Sequence, residues 1–290
     1  MAFHMVESGE VRYLVSDLLS ATHAFSTRLG GVSTQAHTRA LNLAFGRGDG
    51  RDTVLKNLAL FGGAVGFDPT GVVSVPQVHG NTVHEVDACH RGMGYHSEAA
   101  FEGDGYVTAD PFVTLGVKTA DCTPILLEAS VSGRVAAVAA LHAGWKGTVA
   151  DIAGEGVRKL TALAMERAGA AEDEVILRAA IGPCIHACCF EVKEDCLSVV
   201  RASLGAVAEE HILAVEGKTY LDLPSMNRAL LIRAGVAEDC VDICPYCTAC
   251  HTDLFYSHRA TGGVRGTLLS VIRLSEERRA RFCEMSWRGN

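Results

Sequence analysis

Hydrophobic and polar positions along the chain follow two periods. Short apolar runs bounded by Gly, Pro or Asp occur at 21–28 (ATHAFSTR), 71–80 (GVVSVPQVHG), 112–118 (FVTLGVK) and 123–129 (TPILLEA). Further runs lie at 134–142 (RVAAVAALH), 174–182 (EVILRAAIG) and 267–274 (TLLSVIRL). These read as β-strands, and the short breaks between the third, fourth and fifth predict neighbours in one sheet. Helical spacing appears at 51–66 and at 224–235, the latter ending on a glycine. A longer helix is predicted from a start at Thr148 to a stop at Gly169. Its residues Ile152, Val157, Leu160 and Leu163 fall on one face. Strands and helices alternate with no linker rich in Pro, Ser or charge and no internal repeat. The expectation is one mixed α/β domain over 1–290, with 1–19 and 276–290 as peripheral termini.

One run ends oddly. Val135 to Leu141 is apolar without interruption, as a buried strand would be, yet the next residue is His142, followed by Ala143 and the Gly144–Trp145 turn. His79 likewise follows VVSVPQV and precedes Gly80, and Asp121 and Cys122 sit between two predicted strands. Polar groups carried at the ends of rigid strands are where reactive side chains concentrate. Two imidazoles and a thiolate form a borderline-soft donor set suited to zinc, with a fourth position left open. The three are far apart in sequence, so spacing alone does not make a site of them. A lone histidine at a strand end is more often structural, and Cys122 reads equally well as a plain buried thiol.

Composition narrows the class. Apolar residues are 48% and charged residues 21% of the 290, which describes a folded globular chain and not a disordered one. A net charge of -8 argues against a nucleic-acid surface, although it does not speak to a single cleft. The N-terminus lacks a basic segment leading into an apolar core, and no apolar stretch approaches the roughly 20 residues of a membrane span, so no membrane partner and a cytoplasmic location are expected. Eleven cysteines, an odd number in a large chain without an export signal, read as reduced thiols, some buried and some metal-binding.

Two turns pair arginine with glycines in this acidic chain: TRLGGVS with Arg28, and HRATGGVRG with Arg259 and Arg265. Each is able to present guanidinium and backbone N–H groups to an anion such as phosphate, and each also reads as an ordinary turn. CPYCTACH spaces Cys244, Cys247 and Cys250 as C-x2-C-x2-C with His251 adjacent. That spacing occurs in zinc and iron–sulfur sites and in redox pairs. No second C-x2-C pair follows, so HACC (186–189) completes a cluster only if the fold brings it close.

Several of these blocks resemble one known family. PQVHGNTV, VKTADCTPILL, ALHAGWKGT and AAIGPCI are similar, in order, to signature blocks of the laccase-domain family. That family is also called YfiH-like, multicopper polyphenol oxidase, or purine nucleoside phosphorylase. FSTRLGGVS with LNLAFG, LDLPSMNRALL and FYSHRATGGVRG extend the match over about residues 20 to 275. The resemblance implies a single α+β domain of two packed mixed β-sheets flanked by helices, an α/β/β/α layering. It implies a zinc held by His79, Cys122 and His142. FYSHRATGGVRG departs from the family's usual FFSYRRDGxTGR, which leaves open whether Arg259 or Arg265 keeps that block's role.

The implied activities are phosphorolysis of adenosine, inosine, guanosine or S-methyl-5′-thioadenosine, and deamination of adenosine. Deamination suits a metal with an open position, and phosphorolysis needs an anion pocket. The substrates expected are therefore a purine nucleoside and phosphate. Arg28 with Arg259 or Arg265 is the candidate phosphate contact. Asp121 is a candidate proton acceptor, or else orients a ligand histidine. A multicopper oxidase needs paired histidines, and no two of the 12 histidines are separated by one residue, so copper is the alternative or adventitious metal. Another alternative is a Cys–His amide hydrolase editing peptidoglycan precursors, with Cys122 as nucleophile activated by His79 or His142. A third is a thiol-rich metal-binding protein without turnover. Oligomeric state is not encoded in any of these patterns.

Overall fold

The computed structural model describes residues 3–275. The first sheet has the strand order β1 (Phe3–Ser8), β2 (Val11–Ser16), β3 (Thr22–Ser26), β15 (Leu268–Arg273), β7 (Thr114–Thr119), β4 (Val72–Val73). The second runs β14 (Val241–Ile243), β10 (Val175–Ile181), β8 (Thr123–Val131), β9 (Arg134–Ala143), β6 (Gly105–Thr108), β5 (Val83–Glu85). A small third sheet joins β11 (Glu191–Val192), β13 (Lys218–Leu221) and β12 (Ile212–Val215). The helices are α1 (Arg51–Val65), α2 (Trp145–Val149), α3 (Ile152–Ala168), α4 (Glu194–Leu204), α5 (Ala206–Glu210), α6 (Leu223–Arg233) and α7 (His258–Thr261). No helix among the described residues is long and apolar enough to cross a membrane.

Three apolar clusters show why the layers stack. Between the two large sheets, Leu14, Phe25, Leu115, Val117 and Ile272 meet Tyr106, Leu126, Val138, Ala140 and Ala180. Outside the second sheet, Ala137, Ala139 and Leu141 pack against Ile152, Val157, Leu160 and Leu163 of α3 and Met226 and Leu230 of α6. Outside the first, Ala24, Val72 and Val271 pack on Val54, Leu58 and Phe61 of α1. This is the expected helix–sheet–sheet–helix order, in one body. Strand β9 is covered on both faces, which explains its unbroken apolar run. Sheet-to-sheet approach is close where Phe25 lies on Gly182, since a Cβ there would sit 2.1 Å from the ring.

Two predicted elements differ. The 71–80 strand shrinks to Val72–Val73. Beyond it Ser74 N donates to Met93 O, Val75 N donates to the Tyr106 hydroxyl, and Pro76 has no N–H for a ladder. The long helix starts at Ile152, four residues after Thr148. Trp145–Val149 makes a separate turn, Asp151 takes a left-handed conformation (φ 59°), and its carboxylate caps α3 by accepting from Gly154 N. Residues 3–16 of the segment expected as a peripheral terminus form the edge hairpin β1–β2 of the first sheet. The segment 276–290 lies outside the described residues.

Candidate metal centre and its cavity

Strand register builds the site. In the β8–β9 pair, Pro124 is opposite His142 and Thr123 opposite Ala143, which sets Cys122 beside His142. In the β6–β9 pair, Gly105 is opposite Leu141, and the next step brings His142 N to Asp104 O at 2.7 Å. His142 shares its face of β9 with Val138 and Ala140, so its imidazole enters the end of the space between the sheets. The residue is 2% exposed.

His79 arrives on the loop after β4. Its backbone is left-handed (φ 63°), a conformation worth roughly 1–3 kcal/mol of strain. The strain has a visible use. The consecutive N–H groups of Val78, His79 and Gly80 all donate to the buried carboxylate of Asp104, at 3.2, 2.9 and 2.7 Å. The other partner of Asp104 is His142 Nδ1 at 2.8 Å. One carboxylate therefore fixes the His79 loop and the His142 ring together. Because Nδ1 donates to Asp104, the Nε2 edge of His142 is left for the cavity.

The donor atoms of His79, Cys122 and His142 all lie within 4.8 Å of one another, with Cys122 Sγ 3.9 Å from His79 Nε2 and the imidazoles edge to face at 4.8 Å. Gly144 keeps space at their centre. A Cβ there would approach His79 Cδ2 to 3.0 Å and Cys122 Sγ to 3.1 Å. Burial alone would push the Cys122 thiol up, but the charge and hydrogen bonding of His142, with help from His79, bring it well below its ordinary value. Burial would likewise lower His142, and the Cys122 thiolate with Asp104 raises it instead. A thiolate and two imidazoles converging on a gap that no side chain fills suit one soft or borderline divalent ion.

The triad opens into a cavity of about 250 Å³ also lined by Phe45, Arg47, Gln77, Lys118 and Arg265. Three cations are among its lining residues. Burial first, then repulsion from Arg47, brings Lys118 down to about 8 and Arg265 to about 10. Lys118 Nζ donates to Ser74 O, and Arg265 donates to Gly266 O and Thr267 Oγ1 while its Nε is buried without a partner. A larger groove of about 670 Å³ runs along α3, where Arg158 pairs with Glu155 and Arg233 with Asp151.

The other expected site residues are placed elsewhere. Arg28 does not line the cavity. Its guanidinium donates to Arg39 O and Thr252 O and covers the Tyr256 ring. The glycines of its turn serve close backbone approach, since a Cβ at Gly30 or Gly31 would meet Glu10 O or Ala40 O at 2.3 Å. Arg259 donates from its side chain to Cys189 O and lies over Phe190. Asp121 does not orient a ligand histidine. Its carboxylate accepts from Thr248 Oγ1 and Arg259 N, both at 2.6 Å, which holds its own strained backbone (φ 95°). Asp104, which sits where Asp121 was expected to act, Arg47 and Lys118 went unnoticed in the sequence. The FEGDGYVT stretch carries no signal beyond an acid before a strand, and LAFGR none beyond a lone arginine after a glycine.

Comparison with known proteins places these features in context. The family described as "Multi-copper polyphenol oxidoreductase laccase" matches residues 22–275. A purine nucleoside phosphorylase of Deinococcus radiodurans is 39% identical over 258 residues, covering 88% of this chain and 90% of that protein. Adenosine deaminase RL5, from an unknown prokaryotic organism, is 35% identical over 250 residues, 84% of this chain and 90% of its own. The crystal structure of YlmD from Geobacillus stearothermophilus superposes with a TM-score of 0.82 at 30% identity, over 94% of this chain and 99% of that one.

Proposed function

The chain belongs to the multi-copper polyphenol oxidoreductase laccase family, and from that premise we propose that it is a zinc-dependent enzyme of purine nucleosides. It would cleave adenosine, inosine, guanosine or S-methyl-5′-thioadenosine with phosphate and deaminate adenosine; its relatives include proteins named purine nucleoside phosphorylase and adenosine deaminase. The observation that carries this reading is the shared cavity, lined both by the donor triad and by Arg47, Lys118 and Arg265.

His79, Cys122 and His142 would hold the zinc, which supplies Lewis acidity to whatever oxygen or base edge reaches it. Asp104 keeps His142 in the tautomer that faces the cavity. The three cations would bind phosphate and hold it in line with ribose C1′, converting an encounter of two solutes into a reaction within one cavity. Arg265 replaces the pair of arginines left open by the sequence, because its side chain lines the cavity and that of Arg259 does not. Two imidazoles and one thiolate suffice for one ion and fall short of a multicopper cluster, so a copper polyphenol oxidase is the weaker reading. Free thiols at all ten described cysteines fit a cytoplasmic location.

A second reading draws on one observation. Cys122, His142 and Asp104 line up as thiolate, imidazole and carboxylate, the order of a Cys–His amide hydrolase. A nucleoside panel incubated with and without phosphate separates the two. Release of free base only with phosphate, and of ammonia from adenosine without it, is expected. Both should vanish in Cys122→Ala and on chelation. Full turnover of nucleosides by metal-free protein would sink the zinc mechanism, and alkylation of Cys122 together with amide cleavage would favour the hydrolase.

A further inference from the structure

A second group of thiols converges away from this cavity. Sulfur atoms of Cys188, Cys189, Cys247 and Cys250 all lie within 4.8 Å of one another. Cys250 Sγ is 3.5 Å from Cys188 Sγ and 3.4 Å from Cys189 Sγ. We propose that these four cysteines form a tetrathiolate zinc site that clamps the turn at 186–190 to the turn at 247–251. The proposal is independent of the activity assigned to the first site.

The spacing argues for an ion and against a disulfide. Zinc–sulfur bonds of about 2.3 Å directed to a tetrahedron put the sulfurs about 3.8 Å apart. A disulfide holds its sulfurs at about 2.05 Å, and Cys250 stands almost equally far from two candidate partners. The backbone is arranged for the same end. Cys184 and Cys247 pair in an isolated parallel bridge, Thr248 N donates to Cys184 O, and His186 N donates to Cys247 Sγ at 3.4 Å. Four thiolates this close repel one another unless a cation lies among them, and loading would release the thiol protons to solvent.

The remaining thiols differ. Cys184 and Cys244 are buried in the core, and burial pushes both thiols up. So the C-x2-C-x2-C run does not act as a unit. Cys247 and Cys250 supply two ligands, Cys244 supplies packing, and His251 meets the Tyr246 ring edge to face. The vicinal pair Cys188–Cys189 completes the set from 62 and 61 residues away. Thr248, inside the clamped turn, donates to Asp121, and Ile185 N donates to Asp121 O. The clamp thereby positions the residue next to Cys122 without touching the cavity.

The test is metal content and cobalt spectroscopy on the full chain, isolated anaerobically, loaded with Zn²⁺ or Co²⁺ and freed of excess ion. The wild type should hold two ions, and Cys122→Ala and the double variant Cys188→Ser/Cys250→Ser one each. The intense thiolate-to-cobalt charge-transfer band should persist in Cys122→Ala and fall severalfold in the double variant. If the double variant does not fold, Cys122→Ala decides alone: one ion with a four-thiolate spectrum supports the site. No ion in Cys122→Ala, or a disulfide from Cys250 to Cys188 or Cys189 in the anaerobic protein, overturns it. So does iron in place of zinc after expression with both metals supplied.

Discussion

Asp104 is the residue on which the candidate centre turns. Its carboxylate accepts from three successive backbone N–H groups and from His142 Nδ1, so it is satisfied as an anion in a fully buried position. Asp104→Asn offers an N–H where acceptors are needed. Metal affinity should fall about 10- to 100-fold, the usual effect of losing a partner that orients a ligand histidine, as read by competitive zinc titration. Retention of wild-type affinity would show that the ring holds its tautomer by other means. Gly144→Ala tests the space at the centre instead. Its Cβ would stand about 3 Å from two ligand side chains. Zinc content should drop while the far-ultraviolet circular dichroism stays unchanged; an equally loaded protein would show that the ion does not need that space.

At the scale of elements, the strand β9 and the helix α3 that packs on it carry the site from opposite ends. β9 delivers His142, and the short α2 turn begins one residue after Gly144. α3 begins only after the chain reverses at Asp151, whose carboxylate caps the helix and also meets Arg233 of α6 at 3.0 Å. Asp151→Ala removes the cap at a left-handed position, where Asp is tolerated better than Ala. A loss of about 1–2 kcal/mol in urea unfolding is expected, most of it from the cap, because exposed ion pairs of this kind contribute little. An unchanged unfolding midpoint would mean that the tertiary packing of Leu160 and Leu163 sets the helix start by itself.

For the molecule as a whole, a chain of net charge -8 concentrates Arg47, Lys118 and Arg265 in one cavity. Lys118 is brought down to about 8 from an unfolded value of roughly 10.4. Between those values the unfolded state binds more protons than the folded one, so rising pH favours folding through this group and lowers its penalty. A bound phosphate does the reverse, favouring the charged lysine. Phosphate should therefore stabilise the fold most below pH 8, by up to ~2.7 kcal/mol at 100 times its dissociation constant, seen as a rise in melting temperature, and less above it. In Lys118→Met the pH dependence of that shift around pH 8 should weaken. A phosphate effect that is flat across this range in the wild type would remove Lys118 from the anion site.

Much of this was legible in the chain. Periodicity located β8, β9, β10, β15, α1 and α6, because each buries a face or is buried on both, and burial writes itself into local pattern. His79, Cys122 and His142 stood out as polar residues ending apolar runs. What the sequence alone determined were these carriers and the family resemblance in their flanking blocks. The tertiary structure decided which residues meet. It chose Asp104 over Asp121 because a two-residue register relation between β6 and β9 is invisible in either strand alone. It turned the Arg28 guanidinium to backbone carbonyls 11 and 224 residues distant, and it buried Cys244 of CPYCTACH. Pattern is a property of neighbours along the chain, whereas convergence depends on loop closure and strand register, which no local window contains.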